Sequence, residues 1–519
     1  MIRYRYLLLV ILLFQFNASA DVETPESWYK QGQESLGKAL RIEANKHQAK
    51  NIILFIGDGM GISTITAARI LAGQLQGKSG EEHSLSFELL PYAALSKTYN
   101  TNQQTPDSAG TMTAIMTGVK TESGFISVNQ KARRKDCASS KGNHLLTLLE
   151  ELEEHHYATG VISTARITHA TPAATYAHTV EREWEGDSLM PGNAIQEGCQ
   201  DIAMQLLTFS YGDGIDVVMG GGRRYFFPKD VVDPEYPGET GKREDARNLI
   251  TEWEKRYSNA AYIWNEAQFA NIKAGKVTHL LGLFEPSHMQ FESDRKNDGA
   301  GEPSLADMTG LAIEILKKNE KGYFLMVEGG RIDHAHHYGN AYRALHDTVA
   351  FSDAVSVALK QVDLENTLII VTADHSHVFT MGGYPIRGNP ILGKVIHNDR
   401  HGEAKNDPEL AKDNKPYTTL GYYNGDGFAV VDDITERDEG KDYGHPGRAD
   451  IRGIETTRSD YYQESMIPMI DETHGGEDVA IFAGGPWAHL FHGVHEQHYI
   501  YHVMRHALGF DRDIKAKGD

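Results

Sequence analysis

The fold of this chain follows from the stretch Asn51-Ile52-Ile53-Leu54-Phe55-Ile56-Gly57-Asp58-Gly59, an apolar run that stops abruptly at glycine and aspartate. A short apolar run bounded by turn residues predicts a buried strand. Similar runs recur between helical patterns, at 159–163, 215–219, 323–327, 367–371 and 479–483. Because such alternation is typical of α/β proteins, we predict an α/β fold with a central, mostly parallel sheet.

Three of the predicted strands end at acidic residues. Asp58 ends the first run, Glu328 follows the run at 323–327, and Asp374 follows the run at 367–371. Ligands of open α/β sheets bind beyond the carboxyl ends of the strands. The repeated placement of carboxylates therefore predicts a single site at that edge of the sheet.

Helical patterns occupy six segments: 24–46, 63–75, 109–116, 145–155, 304–318 and 341–362. In the first of them, Thr24 can cap the helix and Pro25 suits its first position. The pattern weakens between Val378 and Ile470, where glycine, aspartate, asparagine and proline are frequent, so we interpret this region as an insertion. The predicted organisation is a signal peptide, a helical segment, the first part of a catalytic core, the insertion and the rest of the core: 1–20, 21–48, 49–377, 378–470 and 471–519.

The N-terminus has the three parts of a secretory signal peptide. Met1–Arg5 is basic, 7–16 is apolar, and Ala18-Ser19-Ala20 is the small-residue flank after which we predict cleavage. The alternative is a membrane anchor, but a span requires about 20 apolar residues and this run is shorter. No later stretch is long and apolar enough to span a membrane. We therefore predict a soluble mature protein in the periplasm or the medium.

The composition of the 519-residue chain excludes some partners. Its formal charge is -21, and the loss of Arg3 and Arg5 with the signal peptide would make it -23. Such a charge repels nucleic acid and anionic lipid, although solubility alone also explains an acidic surface. An anionic substrate would have to be attracted by local cations, which favours bound metal.

The chain has two cysteines, Cys137 and Cys199. Export to an oxidising compartment would favour a disulfide between them, and the alternative is a pair of free buried thiols. Two thiols at this spacing do not indicate a zinc cage.

The clearest metal-ligand pattern follows the predicted strand at 323–327. Asp333 and His337 are four residues apart, so they share one face of a helical turn and can bind one metal together. A lone pair of this kind is usually a surface hydrogen bond. Three histidines in the segment, Glu328 at the strand end and the adjacent glycine pair favour a metal here.

Further candidate ligands are weaker when taken alone. Asp374 and His375 are adjacent at a strand exit, His474 has flexible flanks, and Asp58 ends the first strand. The first pair also fits a capping aspartate and a solvated histidine. The glycines around Asp58 resemble a dinucleotide fingerprint, but a carboxylate there would oppose a pyrophosphate, so we reject a nucleotide site.

Ser108 is the candidate nucleophile, because a predicted helix begins there and its N-terminus attracts an anion. No G-x-S-x-G elbow surrounds this serine, so its hydroxyl would need activation by a metal; the alternative is an ordinary Asp or Ser helix cap. Arg182 can clamp two phosphate oxygens with its planar fork, although its spacing does not distinguish it from other arginines. The loop at 168–172 offers a hydroxyl and an imidazole, which alone indicate only a satisfied histidine.

In combination these segments resemble alkaline phosphatases, from Lys50 to Leu508. Six motifs stand in order: D-S-A-G-T at 107–111, T-H-A-T-P at 168–172, G-L-F-E-P at 282–286, V-E-G-G-R-I-D-H at 327–334, T-A-D-H-S-H at 372–377 and E-T-H-G-G-E-D-V-A at 472–480. Details at 197–201 and 492–497 are closer to the animal enzymes. The resemblance implies hydrolysis of phosphate monoesters through a phosphoserine at Ser108, with inorganic phosphate as product and inhibitor. It also implies a three-layer α/β/α sandwich with a crown-like insertion, and a homodimer in which 24–46 reaches the partner.

The resemblance further implies two zinc ions and one magnesium ion. The first zinc would be held by Asp333, His337 and His474. The second would be held beside Ser108 by Asp58, Asp374 and His375. Magnesium would be held by Asp58, Thr171 and Glu328.

Other roles carried by the resemblance concern phosphate and calcium. Arg182 would clamp the phosphate, and His169 and His334 would lie beside the magnesium and phosphate sites and support them through water. A possible calcium site would use Glu235, the main-chain carbonyl of Phe284, Glu285 and Glu302. Cys137 and Cys199 match an animal-type disulfide.

Two rival functions remain open at this stage. A related phosphodiesterase or sulfatase could use the same core, but a sulfatase needs a C/S-x-P-x-R context and Ser108 is followed by Ala-Gly-Thr. An exported metal- or phosphate-binding protein would show no turnover. Phenol release from an aryl phosphate, lost on chelation and restored by zinc, separates these possibilities.

Overall fold

The structure, a computed structural model, describes residues 23–429 and 448–510. The predicted signal peptide at 1–20 lies outside the described residues. The described residues belong to two compact units, which are divided between Glu43 and Ala44. Within the described ranges, no helix has the length and apolarity needed to cross a membrane.

The first unit contains helix α1, Pro25–Ala39. Thr24 caps it reciprocally, because Thr24 Oγ1 accepts from Ser27 N at 3.1 Å and Ser27 Oγ accepts from Thr24 N at 2.9 Å. The helix ends before the predicted limit at residue 46. In the second unit, the side-chain amide of Asn45 donates to main-chain carbonyls at 364 and 365, so this part of the chain is anchored outside any helix.

The second unit contains fifteen described strands. In chain order they are β1 Asn51–Gly57, β2 Tyr92–Lys97, β3 Ala158–Arg166, β4 Val217–Gly221, β5 Ala260–Ile263, β6 His279–Leu283, β7 Tyr323–Gly329, β8 Thr367–Thr372, β9 Ser376–His377, β10 Phe379–Met381, β11 Leu420–Gly425, β12 Ser465–Pro468, β13 His474–Gly475, β14 Val479–Gly484 and β15 Gly493–Glu496.

Ten of these strands form one sheet in the order β15-β2-β14-β8-β1-β7-β3-β4-β6-β5. All neighbouring pairs are parallel except those of β14, which runs antiparallel to both β8 and β2. The six apolar runs predicted as strands correspond to β1, β3, β4, β7, β8 and β14. The predicted α/β fold with a central, mostly parallel sheet is therefore confirmed.

The helices of the second unit follow α1 in chain order. They are α2 Ile62–Leu75, α3 Ser108–Thr117, α4 Cys137–Ser140, α5 Leu148–Glu154, α6 Ala170–Ala173, α7 Gly192–Gln196, α8 Ile202–Thr208, α9 Leu249–Arg256, α10 Glu266–Ala270, α11 Leu305–Leu316, α12 Arg331–His337, α13 Ala341–Gln361 and α14 Tyr499–Ala507. Short 3-10 turns lie at 86–89, 187–189, 223–225, 274–276, 295–297, 426–429 and 488–490.

Both faces of the sheet are covered by helices. Ile52, Leu54 and Ile56 of β1 belong to a core that includes residues of α3, α5 and α14, whereas Ile53 and Phe55 belong to a second core with residues of α2, α11 and α13. A strand buried on both sides has no polar face, which explains why β1 is apolar throughout.

The region predicted as an insertion, 378–470, forms a separate three-stranded sheet. Its order is β10-β11-β12, with β10 antiparallel to β11 and β11 parallel to β12. β10 begins two residues after β9, which pairs with β13 in a small two-stranded sheet. The insertion is thus continuous with the segment that carries His375 and His377.

Cys137 and Cys199 form a disulfide, so the expected pairing is confirmed. It lies in a small separate core with Phe125, Trp184 and Met190. The bond joins residues 62 positions apart and so constrains a long loop of the unfolded chain.

Removing this disulfide is expected to destabilise the fold without touching the strand-end carboxylates. By loop entropy, a Cys137→Ser/Cys199→Ser double variant should lose about 4 kcal/mol of unfolding free energy. Thermal unfolding with and without reductant checks this. Reductant should lower the midpoint of the parent protein and leave that of the double variant unchanged; a parent protein insensitive to full reduction would contradict the prediction.

Candidate metal-binding active site

The three predicted strand-end carboxylates meet because their strands are neighbours. β1 lies between β8 and β7, with Ile56 opposite both Thr372 and Glu328. Asp58 and Asp374 therefore follow strands that end on the same side of the sheet, and Glu328 lies near the end of β7 on that side as well. All three carboxylates are fully buried. Burying an unpaired charged carboxylate costs free energy, so these three carboxylates must bind protons or cations.

The first metal-binding group comprises Asp333, His337, His377 and His474, whose ligand atoms lie within 4.8 Å of one another. Asp333 Oδ1 is 3.3 Å from His337 Nε2 and 3.4 Å from His474 Nε2. The far nitrogens face main-chain oxygens: His337 Nδ1 lies 2.6 Å from the Glu472 carbonyl, and His474 Nδ1 lies 2.7 Å from the Pro106 carbonyl. When those nitrogens donate, both Nε2 lone pairs point at one place, as in metal sites.

His377 is a member of this group that the sequence did not single out. Its Nε2 lies 2.7 Å from Asp333 Oδ1 and its Nδ1 lies 2.5 Å from Glu472 Oε2. Burial opposes protonation, but the Glu472 and Asp333 carboxylates outweigh it and raise the pKa of His377 to about 10. Both ring nitrogens of His377 face carboxylates, so no lone pair is left for a metal and the ring supports Asp333 instead. Gly59, with φ of 67°, makes room for this ring, since a Cβ there would lie 2.4 Å from it.

The second group comprises Asp58, Asp374 and His375. His375 Nε2 is 3.4 Å from Asp58 Oδ1 and 3.3 Å from Asp374 Oδ2, and Ser108 Oγ is 3.1 Å from the same nitrogen. Burial first, and then the neighbouring carboxylates, hold the pKa of Asp58 well above its usual range. Within the described ranges, neither carboxylate oxygen of Asp58 has a hydrogen-bond partner. These two oxygens are free to ligate.

A third group combines Asp58 and Glu328 with His169. Burial raises the pKa of Glu328 to about 7, although Ser163 Oγ donates to its Oε2. Thr171 lies close enough to Glu328 to lower that pKa, yet its Oγ1 makes no hydrogen bond of good geometry in the described part of the chain. The oxygen atoms of Asp58, Glu328 and Thr171 suit a hard cation.

Ser108 is the first residue of α3, and Asp107 is its N-cap. Asp107 Oδ1 accepts from Gly110 N at 3.1 Å, and its Oδ2 accepts from Gly124 N at 2.8 Å. The cap is therefore the aspartate, which leaves the buried Ser108 hydroxyl free to face His375. The N-terminus of α3 adds a positive dipole end beside that hydroxyl.

Arg182 connects this serine segment to the third group. Its Nη1 donates to Asp107 Oδ2 at 3.3 Å, and its Nη2 lies 3.2 Å from His169 Nε2. The ring of His334 lies 5.4 Å from that of His169. Burial first, and then nearby arginines, lower the pKa of both histidines well below the usual range, so both are neutral. His288, a residue without a sequence signal, packs 4.0 Å from the His334 ring.

A cleft of about 550 Å³ opens beside the nucleophile segment and the first group. Its walls include Pro106, Asp107, His334, His337, Tyr338 and His474. The volume admits a small organic group next to the site, which is the scale of pockets for small ligands.

The four predicted calcium ligands only partly converge. Glu235 and Glu285 lie together with Asp298, a residue the sequence analysis missed. The Phe284 carbonyl accepts from Arg223 Nη1 at 2.5 Å, and Glu302 Oε1 accepts from Gln290 N at 2.9 Å. Asp298 lies four positions before Glu302 in the chain, and no local sequence pattern marks it as a ligand.

Comparisons of the sequence with known proteins all identify the same family, and the structure agrees with that family in its fold. The alkaline phosphatase family model matches residues 49–510. The tissue-nonspecific alkaline phosphatase of Rattus norvegicus is 46% identical over 491 residues, covering 93% of this chain and 88% of the relative. The alkaline phosphatase of Gadus morhua is 43% identical over 489 residues, covering 93% and 97%. The solved alkaline phosphatase of Thermus thermophilus shares the fold, with a TM-score of 0.61 and 21% identity over 92% of this chain and 94% of that chain.

Proposed function

Since the chain belongs to the alkaline phosphatase family and hydrolyses phosphate monoesters, we propose that it does so through a covalent phosphoserine at Ser108. The observation that carries this proposal is the position of Ser108 Oγ, 3.1 Å from His375 Nε2 and at the N-terminus of α3. Asp58 and Asp374 converge on the same imidazole. A hydroxyl among metal ligands and helix N–H groups can attack phosphorus.

Family membership implies metal dependence, and the ions follow from the donor sets. Asp333, His337 and His474 offer two imidazoles and a carboxylate, and Asp58, Asp374 and His375 offer one imidazole and two carboxylates; both mixed nitrogen and oxygen sets suit zinc. The oxygen set of Asp58, Glu328 and Thr171 suits magnesium. When bound, the zinc pair supplies stabilisation of the attacking and leaving oxygens and lowers the pKa of the serine hydroxyl.

The protein's own groups perform the remaining work. Ser108 Oγ forms a bond to phosphorus as the ester P–O bond breaks and the alcohol leaves. Arg182, preorganised by Asp107, holds two phosphate oxygens in its fork. His169 and His334, neutral and buried, support the phosphate and the magnesium side of the site. Water then displaces Ser108 from phosphorus and restores the hydroxyl.

We also propose the calcium site implied by the family resemblance, with Glu235, the Phe284 carbonyl, Glu285 and Glu302 as ligands. Burial first, and then the neighbouring carboxylates of Glu235 and Asp298, raise the pKa of Glu285 to about 7, so a cation bound to this group would stabilise its charged form. Asp298 is an additional ligand in this proposal, because both of its oxygens are buried without a hydrogen-bond partner in the described chain. Arg223 would have to release the Phe284 carbonyl for calcium to reach it.

The assembly and location are proposals of the same kind. The exposed side chains Tyr29 and Leu36 of α1 support a role for this helix in contacting a second copy of the chain. The signal-like N-terminus supports export to the periplasm or the medium.

Replacing Ser108 with alanine should abolish both aryl phosphate hydrolysis and phosphoenzyme formation, because it removes the hydroxyl that is the proposed nucleophile. Zinc content should stay close to that of the parent, since the metal ligands remain. Acid-quenched phosphate labelling and elemental analysis measure the two quantities. Ser258→Ala, at an exposed site, is the matched control. Parent-like turnover by Ser108→Ala would eliminate the phosphoserine proposal.

Replacing Arg182 with alanine should weaken competitive inhibition by inorganic phosphate by about 10- to 100-fold, because charge-assisted hydrogen bonds contribute about 1.5–3 kcal/mol. Arg182→Lys should recover part of the loss, since one charge returns without the fork. Arg458→Ala, which removes an exposed partner of Asp460, is the control. An unchanged inhibition constant for Arg182→Ala would remove this residue from the site.

The stability of metal-free protein should depend on pH more steeply than that of metal-loaded protein. The pKa of Glu328 is raised to about 7 by burial, so the metal-free fold binds a proton that the unfolded chain releases near 4.5. The stability this proton provides is complete below that lower value and is lost as pH rises through about 7. Bound cations replace the proton. Thermal midpoints of both forms across this range test the prediction, and parallel profiles would contradict it.

A further inference from the structure

Tyr422 lies on β11 in the insertion, and its hydroxyl reaches a histidine beside the first metal-binding group. The Tyr422 hydroxyl is 2.7 Å from His336 Nδ1, and Thr64 Oγ1 is 2.9 Å from His336 Nε2. All three residues are buried. Both nitrogens of His336 are thus taken by hydroxyls, so this imidazole is fixed in place and has no lone pair left for a metal.

The ring of His336 in turn packs against His377. Their centroids are 4.9 Å apart and the rings are inclined by 29°. Phe379 packs against both residues of this pair, with its ring centroid 5.0 Å from that of His336 and 5.0 Å from that of Tyr422. Phe379 and Tyr422 are also register partners in the β10–β11 pair. The insertion therefore holds His336 by a hydrogen bond and by aromatic contacts.

His377 is the link between this arrangement and a metal ligand. Its Nε2 holds Asp333 Oδ1 at 2.7 Å, while Glu472 holds its other nitrogen. Rotation of His377 would break its contact with Asp333, and the His336 ring packed against it opposes such rotation. Mutation of a group that orients a metal ligand typically lowers metal affinity or activity by about 10- to 100-fold.

We infer that Tyr422 and His336 are positioning residues for the first metal-binding group, through which the insertion fixes the orientation of Asp333. The inference rests on the proposed function only in assigning zinc to Asp333, His337 and His474. A purely structural role for Tyr422 would affect the stability of the metal-free fold alone. A positioning role changes the metal site itself.

The test compares Tyr422→Phe with Tyr423→Phe in the full-length, metal-loaded protein. Tyr423 is the next residue of β11 and is exposed, so its substitution removes a hydroxyl from the opposite face of the strand. Tyr422→Phe should release zinc to a chromophoric chelator about tenfold faster, at the low end of the effect of ligand-orienting groups. It should also change the visible spectrum of cobalt bound in place of zinc. Tyr423→Phe should match the parent.

Steady-state kinetics provide a second measure. Tyr422→Phe should lower kcat for an aryl phosphate and leave KM close to the parent value, because Arg182 and its partners are untouched. Thr64→Val releases the other nitrogen of His336 and should act in the same direction, which keeps the test decisive if Tyr422→Phe does not fold.

The outcomes separate this inference from the proposed function. Unchanged zinc release and an unchanged cobalt spectrum in Tyr422→Phe and Thr64→Val would overturn the positioning role, even if the metal-free variants were less stable. Asp333→Asn should lose one zinc per chain. If Asp333→Asn keeps full zinc content, the metal assignment of the proposed function is wrong and the inference is overturned with it.

Discussion

The burial of several carboxylates close to one another is the constraint on which this site depends. Asp58, Glu328 and Asp374 lie fully buried at the ends of adjacent parallel strands, with Asp333 close behind them. At neutral pH such a cluster favours either bound protons or divalent cations. The groups around the carboxylates suit bound cations and an anionic substrate: imidazoles direct lone pairs into the site, a helix begins at Ser108, and Asp107 orients Arg182.

Much of this arrangement could be predicted because its signals are local. A run without polar alternation identifies a strand covered on both faces, as in β1, and a following acidic residue marks the carboxyl edge of the sheet. Asp333 and His337 are four residues apart on a helical turn, so their shared face follows from helix geometry. Ligands from distant segments, such as His474, could be assigned only from the family resemblance, because sequence spacing does not show that residue 474 lies near residue 333.

The parts that could not be predicted depend on tertiary contacts. His375 and His377 are two residues apart in one motif, yet only the tertiary structure places both ring nitrogens of His377 against Glu472 and Asp333, whereas His375 faces Asp58, Asp374 and Ser108. The convergence of Asp298 with Glu235 and Glu285 brings together side chains from separate segments of the chain, which no local pattern reveals. Likewise, the pairing of Tyr422 with His336 joins residues 86 positions apart and has no periodicity to reveal it.

The position of β14 has a consequence for the order of assembly. This strand, formed by residues 479–484, lies between β8 and β2, so β2 has no neighbour on that side until nearly the whole chain is available. The seven strands from β8 to β5 can pair earlier, since all of them precede residue 373. A chain truncated before residue 479 would lack β14 and β15, the two strands that flank β2, so β2 would have no partner in the sheet.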